Sequence, residues 1–176
     1  MYKSNLIKNF FAVLVIAAFG VSFVSCGNDE PEPVDNSKVP ASVVANYKVS
    51  LSENFYKYFD VTVEYTTPGG VLKKETLTED WIYNFNISDP VVADKYVCHV
   101  VANPKNPVPE VETGETYNLD INATAKVSIL NSEGVSLDGA SGSNQTTETI
   151  RAEAMAKYVT RSHTILNYSF VPKIEE

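Results

Sequence analysis

Between Tyr117 and Ile129 every odd position is apolar: Tyr117, Leu119, Ile121, Ala123, Ala125, Val127 and Ile129. The even positions are Asn118, Asp120, Asn122, Thr124, Lys126 and Ser128. Period two places the apolar set on one face, which a helix cannot do. This segment therefore predicts a one-sided antiparallel strand. At about 3.4 Å per residue it would span about 44 Å, too long for a small domain. A bend or break near Ala123-Thr124-Ala125 is expected.

The same period recurs upstream. Tyr47, Val49 and Leu51 line one short strand, and Phe59, Val61, Val63 and Tyr65 alternate with Tyr58, Asp60, Thr62 and Glu64 in the next. Thr67-Pro68-Gly69-Gly70 supplies a turn, because Pro presets φ and Gly accepts positive φ. Residues 57–77 thus form a hairpin candidate. Trp81, Tyr83, Phe85 and Ile87 alternate with Ile82, Asn84, Asn86 and Ser88, closed by Asp89-Pro90. Residues 95–103 are apolar on both sides and predict a central strand, whereas Pro104, Pro107 and Pro109 mark a connection. The Asn-, Ser- and Gly-rich stretch 131–146 reads as a loop. Ile150, Ala154, Met155, Tyr158 and Val159 then recur at helical spacing, with Thr146 or Thr147 as a possible cap. A last strand covers 164–171. Seven strands and one helix before the last of them predict a mostly β fold, an antiparallel immunoglobulin-like β-sandwich. The alternative is an α+β fold with the helix on one face of a single sheet.

Composition narrows the function. The formal net charge is −8, and an acidic chain repels phosphate backbones, so no nucleic-acid partner is expected. Hydrophobic residues at 44% exclude disorder. Two Cys and two His supply neither a disulfide scaffold nor a multi-ligand metal site.

The N-terminus reads as an address. Lys3 and Lys8 precede an apolar run from Phe10 to Val24, too short for a membrane span. It ends at Phe23-Val24-Ser25-Cys26. A small residue directly before Cys resembles the lipobox of bacterial lipoproteins, although Phe23 stands where Leu is usual. The resemblance implies a signal peptide over 1–25 and a diacylglyceryl group on Cys26, which would tether the chain to a membrane without crossing it. Asp29-Glu30-Pro31-Glu32 then resembles the acidic export tract of surface lipoproteins in Bacteroidetes-type bacteria. That implies the outer face of the outer membrane; the alternative is a periplasm-facing lipoprotein. Residues 26–43 read as an acidic, Pro-containing tether, and 44–176 as one β-rich domain.

Candidate chemistry is sparse. Cys98 and His99 are neighbours in a predicted strand, so their side chains should diverge, and a Cys–His dyad is not expected. His99 and His163 lack the spacing of a zinc pair. Ser136–Gly142 contains one acid and no calcium-loop pattern. The tripeptides beginning at Asn86, Asn122 and Asn144 match a eukaryotic glycosylation signal, which a bacterial address makes incidental. No nucleophile, catalytic residue, cofactor or metal site is identified. Trp81, Tyr83 and Phe85 read first as the core face of a strand. Facing water, they would stack on sugar rings with Asn84 and Asn86 pointing away; Tyr56 and Tyr58 are further surface candidates. The expected function is a lipid-anchored, non-enzymatic binding or assembly module for protein or glycan. The alternative is an envelope hydrolase with no identifiable nucleophile.

Overall fold

The computed structural model describes residues 36–88, 90 and 92–174. The expected signal peptide over 1–25, the expected lipidation site Cys26 and the acidic tract lie outside the described residues. Strand β1 (Ser42–Leu51) buries Val43, Ala45, Tyr47 and Val49, as its alternation requires. Helix α1 (Glu53–Tyr58) comes next, then β2 (Phe59–Thr66). A single helix was expected, and Tyr58 was expected in a strand. Packing overrides the local pattern: the Phe55 ring lies 5.8 Å from Phe59 and 6.4 Å from Tyr158, and Tyr58 is fully buried.

Strand β3 (Leu72–Leu77) forms the expected hairpin with β2, Thr66 opposite Leu72 and Val61 opposite Leu77. Gly69 and Gly70 make the turn at φ 77° and 79°, where a Cβ would be strained. Strand β4 (Trp81–Ser88) falls where the alternation places it, and β5 (Tyr96–Pro104) where the run apolar on both sides does.

The long alternating segment breaks earlier than expected. Strand β6 (Thr116–Asn118) and strand β7 (Ile121–Leu130) are separated at Leu119-Asp120. Ser52 holds this joint: its hydroxyl donates to the Asn118 carbonyl at 2.8 Å and accepts from the Asp120 N–H at 3.1 Å. Its own N–H donates to the Asp120 carbonyl at 3.0 Å. These partners satisfy the backbone groups that the break releases from a ladder.

The expected loop over 131–146 is corrected. Only its first residues turn, and Ser136–Thr146 is strand β8, paired along β7 from Leu130–Ser136 to Ile121–Thr146. Asn131 folds the turn, its Oδ1 accepting from the N–H groups of Glu133 at 3.0 Å and Val135 at 2.9 Å. Small residues have low strand propensity, but here they permit close approach. A Cβ on Gly142 would sit 3.0 Å from the Tyr168 ring.

The predicted helix starts later and is shorter. Thr149–Arg151 form strand β9, because Ile150 pairs with Tyr117 of β6. Helix α2 (Ala152–Tyr158) buries Ala152 and Met155, Val159 is buried just beyond it, and neither Thr146 nor Thr147 caps it. The final strand, β10 (His163–Phe170), has a register shift between Thr164 and Leu166, so both Ile165 and Leu166 are buried.

The chain is therefore mostly β, with antiparallel sheets. One sheet has the order β4-β1-β7-β8, a second β10-β5-β2-β3, and β6 pairs with β9. The two larger sheets meet through apolar faces, with Tyr47 of β1 6.4 Å from Tyr65 of β2. Along one side, β8 and β10 are tied together. Tyr168 Oη donates to the Ala140 carbonyl at 3.0 Å, and Asn144 Nδ2 donates to the Ile165 carbonyl at 2.7 Å.

Candidate functional site

The opposite side is the rim where β4 and β3 end their sheets. Strand β4 pairs with β1 from Val49–Trp81 to Ser42–Ser88, and among the described residues no strand pairs with its other edge. Its outer row of N–H and C=O groups is left to solvent or to a partner.

Alternation turns Trp81, Tyr83 and Phe85 into this rim, all half-buried. The Tyr65 ring forms the floor, 4.9 Å from Trp81 and 4.7 Å from Tyr83. Trp81 and Tyr83 stack within 10° of parallel at 6.2 Å, and Tyr83 lies 6.1 Å from Phe85. Glu75 of β3 closes the far wall. Its carboxylate accepts from Tyr65 Oη at 2.6 Å and from Trp81 Nε1 at 3.3 Å, linking the two sheets. Burial first, and then the hydrogen bond to Glu75, raise the Tyr65 phenol well above its ordinary range. The aromatic row thus packs on the core and keeps one side toward the rim. Asn84 and Asn86 point to the opposite, exposed face, so the structure does not bring amides and aromatics together.

The two strands of the rim differ in charge. β3 carries Lys73, Lys74 and Glu75, all exposed, which is how an edge is guarded against pairing. β4 carries no charged residue, and Ile82 on its outer face is 62% exposed. Glu75 and this unguarded backbone edge are what the sequence reading missed. The absence of charge from 81 to 88, beside Lys73-Lys74, was the available signal.

The remaining candidates do not assemble. Cys98 is fully buried, and burial pushes its thiol up to about 12, far from a reactive thiolate. His99 is half-buried on the other face of β5. His163 stacks on Tyr158 at 3.7 Å, and its Nε2 donates to the Tyr158 carbonyl at 2.8 Å. The two imidazoles occupy different levels of the sheet, His99 opposite Asn167 and His163 opposite Ala102. Among the described residues no three His, Cys, Asp or Glu side chains gather, and no helix is long and apolar enough to cross a membrane. Ser136–Gly142 is held in the β8 ladder. Tyr58 is buried, its hydroxyl donating to the Glu110 carbonyl at 3.2 Å, so it is no surface aromatic. Comparison with protein-family models, curated proteins and solved structures gave no match.

Proposed function

We propose that this chain is a lipid-anchored envelope lipoprotein working as a non-enzymatic assembly module, which takes an extended strand of a protein partner onto β4. The observation that supports this best is the β4 edge: eight residues long, uncharged and unpaired on its outer side among the described residues. Strand addition draws its affinity from main-chain hydrogen bonds and its specificity from alternate side chains. An added strand would lay its inward side chains beside Trp81, Tyr83 and Phe85, so an alternating apolar and polar segment fits. The architecture is read as an immunoglobulin-like sandwich in its layers. The strand order is its own, with β1 central in its sheet rather than at an edge. The membrane attachment at Cys26 and the cell-surface location rest on the lipobox-like and acidic sequences.

A photo-cross-linking residue placed at Ile82 tests the reading in intact cells. A covalent adduct with another polypeptide is expected from Ile82 and not from Gln145 on β8. No adduct from Ile82, or equal yields from both positions, overturns it.

A further inference from the structure

We infer that the strand received by β4 is β4 of a second copy, so that two molecules join their sheets about a two-fold axis at Asn84. The inference rests on the strand-addition reading above and names its partner.

A two-fold contact uses the same patch on both copies, so that patch must be complementary to itself. In an antiparallel pair, residues directly opposite one another share a face. Odd positions of β4 must therefore meet odd positions, and even must meet even. With the axis at Asn84, Trp81 stands opposite Ile87 and Tyr83 opposite Phe85 on the inner face. Ile82 stands opposite Asn86, and Asn84 opposite itself, on the outer face. Every inner pair is apolar, and the pair on the axis is two amides, which both donate and accept hydrogen bonds. An axis at Phe85 would leave Trp81 without a mate.

Charge favours the same contact. The chain carries a net charge of −8, so two copies repel wherever acids face each other. β4 brings no charge to its edge, and pairing there places no like charges directly opposite. A mid-strand axis on the outer strand of the other sheet, β3, would instead set Lys74 or Glu75 against a copy of itself. The half-buried row Trp81, Tyr83 and Phe85 would continue across the axis into the row of the other copy, covering aromatic area that the single molecule leaves open at the rim.

Cysteine cross-linking of the full chain tests the register. Residues directly opposite in an antiparallel pair have Cβ atoms about 4.5–5.5 Å apart, within reach of a disulfide after small adjustment. Asn84→Cys should therefore give a disulfide-linked pair under mild oxidation. Ile82→Cys should not, because its mate is Asn86. The wild-type chain, with Cys26 and Cys98, sets the background.

A second pair of variants reads the same axis without cysteine. Asn84→Lys and Asn84→Asp should each lower association at least tenfold in sedimentation analysis, and mixing the two should restore it. Asn84 is exposed, so these variants keep the fold. Cross-linking of Asn84→Cys no greater than of Ile82→Cys, or association unchanged in both charge variants, overturns the inference. If that happens while Ile82 still captures a different polypeptide in cells, strand addition stands and only the second copy fails as its partner. If Ile82 captures nothing, both fail.

Discussion

Cys98 and Tyr168 show how burial rewrites the chemistry of single residues. Cys98 is pushed from an ordinary 9.0 to about 12 by burial alone. Tyr168 is likewise pushed up to about 12, chiefly by burial. Tyr47, fully buried between the sheets, is raised further for the same reason, and its hydroxyl has no hydrogen-bond partner among the described residues. Each group is neutral when protonated, so a raised value means that the folded state holds its proton more tightly than the unfolded chain does. Stability from these groups is complete below the unfolded values near 9 and 10. It is lost as pH rises from there toward the folded values. Each such group costs about 1 kcal/mol of stability for every pH unit within that window. The melting temperature should stay level up to about pH 9 and fall by several degrees between pH 10 and 11. Thermal unfolding over this range, with tyrosinate absorbance as a second readout, checks it. Equal melting temperatures at pH 8 and pH 11 would refute it.

Among the elements, β7 is where the sequence pattern and the structure agree most closely. Ala123, Ala125, Val127 and Ile129 are buried, and Asn122 and Lys126 are exposed. Ile121, next to the joint held by Ser52, is only half-buried. Val127, with no exposure, is the sharper probe of the inner face. Val127→Asp places an unpaired charge between the sheets and should cost about 3 kcal/mol or more. Asn122→Asp on the outer face should change stability by about 0.5 kcal/mol or less. Urea unfolding of both variants measures the difference, and equal midpoints would mean that this strand is not one-sided. The strand β8 teaches the reverse lesson. Its composition reads as loop, yet its backbone completes the β7 ladder. Gly142, lacking a Cβ, permits the close approach of Tyr168, a benefit invisible without the neighbouring strands.

For the whole molecule, the proposed lipoprotein address makes its prediction at Cys26 and the acidic tract. Cys26→Ala should abolish lipid labelling and leave the folded domain intact. Intact-mass measurement of membrane-extracted protein checks the wild type, and an unmodified N-terminus starting elsewhere than Cys26 would refute the anchor. Replacing Asp29, Glu30 and Glu32 with Ala should protect the protein from protease shaving of whole cells. A wild-type protein that already resists shaving would favour the periplasm-facing alternative.

Strand positions were legible because period two is a local property: a chain with apolar residues at alternate sites can bury them only as strands. That placed β1, β2, β4, β7 and β10, and it set which side of β4 carries Trp81, Tyr83 and Phe85; β5 was legible instead from a run apolar on both sides. Three outcomes were decided only when distant segments met. Ser52 cut the long strand at Leu119-Asp120, β7 drew 136–146 into a sheet, and pairing with Tyr117 took Ile150 out of the helix. The open β4 edge belongs with these. An edge is defined by which strand is missing beside it, and in an antiparallel fold that depends on the order of strands in the sheet, which the alternation of a single strand does not encode.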